Sequence, residues 1–241
     1  MKALILAAGK GSRLVSATED PKVLLRINGV TTLERISLMC RDARITEIIV
    51  VTGYHREQVH AEMRRIMVKY PGITLKEVFN PVFHLNNIVS VACAHAELIS
   101  DPDGYVHFDG DLIIEAQLLK NLLQKKGNVL VIEDQQQVEQ EEMKVRLENG
   151  KVVEIDKGIP PAKAAGEYIG MYKLTAKATV AYMQCLQHHI LKGETHIYYD
   201  NVLVDLLREH SLDVLATHGL KWVEVDVPGD VVKARELFEQ Q

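Results

Sequence analysis

Lys2-Ala3-Leu4-Ile5-Leu6-Ala7 runs without a break into Ala8-Gly9-Lys10-Gly11-Ser12-Arg13. The first half is a short continuous apolar run, the pattern of a strand buried on both faces. The second half is a glycine-rich loop, in which the backbone can approach a phosphate and turn its N–H groups toward it. Lys10 and Arg13 add cationic donors, Arg with a bidentate fork. Small Ala7 and Ala8 leave room above the strand end for a flat base or a ribose. Two other phosphate motifs are excluded. A Walker A loop needs GxxxxGK and then Ser or Thr, whereas Gly11 is followed by Ser12-Arg13. The dinucleotide fingerprint needs a glycine at position 14, which is Leu14. A strand followed by GxG alone is equally well a structural turn. Pro21-Lys22, ahead of apolar Val23-Leu24-Leu25, adds a lysine on a proline-stiffened segment that can point back at the same pocket.

Outward from this stretch, short apolar runs alternate with amphipathic ones. Strands are expected at 2–7, 45–52, 73–79, 105–108 and 129–132, and helices at 32–43, 56–70, 88–99 and 115–125. Alternation with continuous apolar strands implies a doubly wound, mostly parallel α/β sheet covered on both faces. After about residue 140 the pattern changes. Runs at 143–147 and 152–155 flank Asn149-Gly150, which suits the two positive-φ positions of a type I′ hairpin turn. Further strands are expected at 168–174, 212–216 and 222–227, and helices at 175–191, 201–210 and 229–239, with Pro228 opening the last. The expectation is one domain over 1–241 with a small antiparallel insertion. About 1–135 would bind nucleotide and about 140–227 the acceptor, and the C-terminal helix, 228–241, closes the chain.

Composition narrows the function classes. The net charge of −5 argues against nucleic-acid binding but permits a local basic pocket. Cys40, Cys93 and Cys185 are far apart and form no CxxC, so neither a disulfide framework nor a thiolate zinc site is expected. No apolar run is long enough to span a bilayer, and Gly9 and Lys10 interrupt the N-terminal run before it reads as a signal peptide. The expectation is a cytoplasmic protein with no membrane insertion.

The stretch Leu-Ala-Ala-Gly-Lys-Gly-Ser-Arg-Leu followed by Pro-Lys-Val-Leu-Leu resembles the signature of the sugar-nucleotide and alcohol-phosphate nucleotidyltransferases. The resemblance implies a Rossmann-like fold and Mg²⁺-dependent joining of an NTP to a phosphate monoester, with release of pyrophosphate. It assigns Leu6, Ala7, Ala8, Gly9, Gly11 and Ser12 to the nucleotide, and Arg13 and Lys22 to catalysis around the phosphates. The resemblance also implies a homodimer.

The acidic residues extend the reading. Tyr105-Val106-His107-Phe108-Asp109-Gly110-Asp111 puts carboxylates at the end of a buried strand, where open parallel sheets bind ligands. A turn closing a strand is the plain alternative. Asp111 matches the family's metal-binding Gly-Asp position, with Asp109 a neighbour facing the acceptor. Asp226, between the late strand and the last helix, resembles the position that completes the metal site. Glu224 lies on the same face of the strand and could also line the pocket. Asp230 suits the first turn of the helix.

Asn80-Pro81 and then Asn86-Asn87-Ile88-Val89-Ser90 resemble the cytidylyltransferase branch that makes CDP-choline or CMP-phosphonate compounds. On that resemblance Asn87 and Ser90 meet the base and CTP is the expected nucleotide; helix capping is the competing role. Lys157 and Glu167 are read as facing a small phosphorylated or phosphonylated acceptor. Tyr198-Tyr199-Asp200 and Trp222 form an aromatic and acidic set able to hold an ammonium group, with core packing as the alternative for each ring. Asn201 stands where the choline-phosphate branch carries a second acid. The competing readings are a sugar-1-phosphate nucleotidyltransferase using another NTP, and a nucleotide-binding regulatory module without catalysis.

Overall fold

The computed structural model describes residues 1–11 and 20–239. Its strands are β1 (Lys2–Ala7), β2 (Arg26–Ile27), β3 (Val30–Thr31), β4 (Glu47–Thr52), β5 (Thr74–Phe79), β6 (Tyr105–Asp109), β7 (Leu112–Ile114), β8 (Asn128–Glu133), β9 (Lys144–Glu148), β10 (Lys151–Asp156), β11 (Gly166–Leu174), β12 (Leu212–Ala216) and β13 (Trp222–Glu224). Its helices are α1 (Thr32–Asp42), α2 (Arg56–Lys69), α3 (Asn87–Cys93), α4 (His95–Leu98), α5 (Ala116–Gln124), α6 (Ala176–Leu191), α7 (Tyr199–Leu203) and α8 (Pro228–Leu237).

The main sheet has the order β5-β4-β1-β6-β11-β8-β12-β10-β9. β5, β4, β1 and β6 are parallel neighbours, and β8 pairs parallel with β12. β11 runs against both β6 and β8, so those two point the same way and the fold is a mostly parallel α/β sheet. The antiparallel part is therefore more than an insertion at one edge, because β11 lies in the middle of the sheet. The β9–β10 hairpin does turn at Asn149 and Gly150, with φ of 51° and 76°.

Period-2 alternation along the central strands supplies both cores. Ala3, Ile5 and Ala7 face one side with Leu33, Ile36, Met63 and Leu118 from α1, α2 and α5. Leu4 and Ala8 face the other with Ile88, Tyr182, Leu186 and Tyr199 from α3, α6 and α7. A side chain as fully buried as Ile5 contributes about 1.5–3 kcal/mol over its exposed state.

Three local outcomes differ from expectation. The helix expected over 88–99 is split at Ala94, whose N–H bonds back three residues to Val91 at 3.1 Å and tightens the turn. The helix expected at 201–210 starts at Tyr199 and passes into a 3₁₀ turn over Val204–Arg208. The strand expected over 222–227 pairs only through Glu224, and outside the main sheet. It joins β7 antiparallel, with Glu224 opposite Leu112 and Val223 opposite Ile113.

That ribbon and the β1–β6 pairing position the strand ends. Leu6 pairs with Asp109, and a Cβ on the next residue, Gly110, would lie 2.1 Å from the Leu6 carbonyl oxygen. Only hydrogen fits there. Gly110→Ala is expected to destabilise the protein by about 1–3 kcal/mol in urea or thermal unfolding, since a strand backbone cannot yield as a side chain can. Wild-type stability in that variant would mean that β1 and β6 can separate at this point.

Candidate active site

A cleft of about 400 Å³ opens at the carboxyl ends of β1 and β6, and the amino end of β11 runs to the same place. Leu6, Ala8, Gly9, Lys22, Asp109, Asp111, Glu224 and Asp226 line its floor. A larger hollow of about 500 Å³ lies between α6 and residues 205–210, but no end of the parallel strands reaches it.

The centre of the cleft is a carboxylate cluster. One oxygen each of Asp111, Glu224 and Asp226 lies within 4.8 Å of the others. The β7–β13 pairing brings them together, and the Val225 N–H donates to the Asp111 carbonyl at 3.0 Å. The Asp226 and Val227 N–H groups donate to Asp230 in the first turn of α8, at 2.9 and 2.8 Å. Lys22 Nζ donates to Asp111 at 2.8 Å and to Asp226. Gly11, with φ of +62°, packs on the Lys22 stem.

Burial works against the Lys22 charge, but Asp111 and Asp226 outweigh it and raise its pKa. Burial pushes Asp111 up; Lys22 pulls it back, and Asp109 and Asp226 add to the rise. Burial, then Asp111 and Asp226, hold Glu224 well above the carboxylate range. Among the described residues, Lys22 is the cation that bonds to this cluster. Three carboxylate oxygens so grouped are a donor set that a hard divalent cation fits.

On the α3 side, Asn86, Asn87 and Ser90 line the cleft. The Asn87 amide oxygen accepts the Tyr199 N–H at 3.0 Å, so its NH₂ is left for the cleft. Asn80 accepts the Val82 N–H at 3.0 Å and donates to the Ser90 hydroxyl oxygen at 3.0 Å. Ser90 thus accepts from the protein and keeps its own proton to donate.

On the β11 side, the cleft is acidic. Asp109, Asp200, Glu167 and Glu141 line it, with Lys157, Tyr198 and Tyr168. Asp200 is 6% exposed, and burial and then Asp109 push it up to about 7. Burial, then Glu142 and Glu133, push Glu167 up to about 8. Lys157 Nζ lies 5.4 Å from the Tyr198 ring centre. Asn201 turns away and donates to Asp156 and the Ile155 carbonyl.

Thus Leu6, Ala8, Gly9, Lys22, Asn87, Ser90, Asp109, Asp111, Lys157, Glu167, Tyr198, Asp200 and Asp226 meet at one cleft, and Ala7 lines a small recess beside it. Ser12 and Arg13 lie outside the described residues. Trp222 does not line this cleft. Its indole N–H donates to Glu133 at 2.6 Å and the ring lies in an adjoining recess of about 180 Å³, beyond Glu167 and Glu224. The glutamate holds it there. Sequence reading gave Glu224 a place on the wall but no share in the carboxylate cluster; the matched apolar runs 112–114 and 222–225 were the available signal for their pairing. Phe83, Leu85, Glu141 and Met143 also line the cleft, from segments with no motif.

Comparison with known proteins agrees with the resemblance carried by the N-terminal stretch. The MobA-like NTP transferase domain matches residues 3–221. The bifunctional IPC transferase and DIPP synthase of Rubrobacter xylanophilus is 29% identical over 241 residues, 98% of this chain and 51% of that protein. The chain therefore spans about half the length of that relative. The choline-phosphate cytidylyltransferase of Streptococcus pneumoniae is 28% identical over 244 residues, 100% of both chains. The solved structure of the CTP:phosphocholine cytidylyltransferase from Streptococcus pneumoniae superimposes with a TM-score of 0.76 at 24% identity, covering 98% of each chain, a likeness of fold. With a match over most of its length and this fold, the chain belongs to the MobA-like NTP transferase family and is a nucleotidyltransferase.

Proposed function

We propose that this protein is a Mg²⁺-dependent cytidylyltransferase that joins CTP to a small phosphate or phosphonate monoester bearing a cationic group, of the phosphocholine or 2-aminoethylphosphonate kind, and releases pyrophosphate. The observation that carries it is the Asp111–Glu224–Asp226 cluster with Lys22, lying between a wall of hydrogen-bond donors and a wall of acids. Asp111 and Asp226, with Glu224 beside them, would hold Mg²⁺. Bound there, the ion supplies positive charge against the phosphate oxygens. Lys22 then has its ammonium available for the α-phosphate region, where it stabilises charge developing in the transition state. Gly9 and Gly11 would let the backbone meet the triphosphate, a role the family resemblance also gives to Ser12 and Arg13.

The α3 wall favours cytosine. Asn87 and Ser90 both have donors to offer, and each oxygen already accepts one hydrogen bond from the protein. Cytosine presents adjacent acceptors at N3 and O2, whereas uracil places an N3–H donor there. The β11 wall favours a cationic acceptor. Asp109 faces it, a cation bound there would draw the protons off the neighbouring Asp200 and Glu167, and Lys157 would meet the acceptor's phosphate or phosphonate. The relatives named as choline-phosphate cytidylyltransferases support both choices.

Pyrophosphate release should be measured over the common NTPs against phosphocholine, 2-aminoethylphosphonate and sugar 1-phosphates. CTP with an amine-bearing acceptor should turn over fastest, and Asp111→Ala should abolish turnover in a folded protein. Release with another NTP and none with CTP would refute the base assignment. NTP binding without turnover in any combination would favour a regulatory module. Asn87→Asp, which puts an acceptor where a donor stood, should raise the KM for CTP by about tenfold or more.

A pH dependence follows from the acidic wall. The folded protein keeps the Glu167 proton up to about pH 8 and the Asp200 proton to about 7, while the unfolded chain releases them near 4.5 and 3.8. The native state binds more protons in that interval, so metal-free stability should fall as pH rises from about 4 to 8 and level off above. Glu167→Gln should flatten the upper part of the slope in thermal melts. An unchanged slope in that variant would show that Glu167 titrates alike in both states.

A further inference from the structure

Beneath the acidic wall lies a polar network buried from solvent that meets the cleft at Asp109. His107, Tyr105, Tyr172, Tyr182 and Tyr199 are fully buried. Phenylalanine would fill the same space without hydroxyls to satisfy, and a buried hydroxyl is costly unless it is hydrogen-bonded. The network converges on Asp109. Tyr199 Oη donates to Asp109 Oδ2 at 2.9 Å, and His107 Nε2 lies 3.1 Å from Asp109 Oδ1.

These contacts set proton positions. Tyr199 has one hydroxyl proton, and with that proton on Asp109 it accepts from the Tyr168 hydroxyl at 2.9 Å. His107 must carry its proton on Nε2 to donate to the carboxylate. Its Nδ1 is buried with no partner among the described residues, a cost that packing alone would not require. The His107 ring is stacked on Tyr172, with centroids 4.6 Å apart and planes 10° apart, and lies 4.5 Å from Tyr199. Gly170, at φ +81°, closes the remaining side: a Cβ there would stand 2.6 Å from Asp109 Oδ2. Asp109 is thus gripped at both oxygens, two residues from Asp111, and does not join the Asp111–Glu224–Asp226 cluster.

We propose that Tyr199 and His107 are positioning residues. They hold the Asp109 carboxylate in the acceptor wall, as a fixed negative group for the acceptor's cation and apart from the metal ligands. This rests on the acceptor reading above.

The test uses the full chain with Mg²⁺ and the NTP and acceptor that wild type turns over best. Tyr199→Phe should raise the acceptor KM by about tenfold, the effect of one hydrogen bond to a charged group. The KM for NTP and kcat at saturating acceptor should stay within about twofold of wild type. Asp109→Asn should raise the acceptor KM similarly, and the double variant no further. Tyr182→Phe is the packing control: its hydroxyl donates to the Tyr199 carbonyl at 2.7 Å and does not touch Asp109, so the acceptor KM should not move. His107→Gln, which keeps an amide N–H, should preserve the KM, and His107→Leu should raise it. The His107 pair carries the test if Tyr199→Phe does not fold.

An unchanged acceptor KM in Tyr199→Phe overturns the proposal. Additivity with Asp109→Asn does so too, as does an equal rise in Tyr182→Phe. Wild type that takes only acceptors without a cationic group refutes the acceptor reading by itself. The Tyr199–Asp109 cycle is then read on that acceptor, and additivity there refutes the positioning role.

Discussion

Three carboxylates held within 4.8 Å of one another are the constraint on which the rest of this structure depends. Like charges repel strongly where water is scarce. The backbone brings the group together. The β7–β13 register sets Glu224 opposite Leu112, the Val225 N–H bonds the Asp111 carbonyl, and Asp230 takes the N–H groups of Asp226 and Val227. Among the described residues, Lys22 supplies the counter-charge to Asp111 and Asp226. Its aliphatic stem lies against Gly11, so the glycine-rich loop and the carboxylates share one packing unit although they are far apart in the chain.

The cleft around this cluster is polarised by what its residues have already spent on the protein. Asn87 gives its oxygen to the Tyr199 N–H and Ser90 accepts from Asn80, which leaves donors on that wall. Across the cleft, buried Asp200 and half-buried Glu167 hold their protons toward neutral pH. The two walls are also tied to each other. Asn87 bonds to Tyr199, and Asn86 donates to the His196 carbonyl at 2.9 Å. On the proposed reading, the residues that meet the base and the segment that meets the acceptor form one hydrogen-bonded unit.

Much of the fold was legible because its signals are local. Strand–helix alternation follows from apolar period and length, and Asn149-Gly150 declares its own turn. The points of difference came from non-local pairing. Nothing in Gly166–Leu174 says that it will lie between β6 and β8, since an apolar run fits a central strand in either direction. Nor does the run 222–227 say that it will leave the main sheet for three residues of β7. Trp222 has the composition of a ligand-cage residue, but the Glu133 carboxylate takes its N–H and draws the ring into a separate recess.

The sequence by itself determined the strand-to-loop start, the parallel core and the family, since each depends on neighbouring residues in a fixed order. It also supplied the acids at the ends of β6 and β13. Only the tertiary structure decided which acids come together. Asp111, Glu224 and Asp226 converge because two short strands pair in one register, and a register is a relation between segments that neither segment encodes alone. The same holds for Asp109: two residues from Asp111 in sequence, it is kept out of the cluster by Tyr199 and His107, whose hydrogen bonds exist only once β6, β11 and α7 have packed.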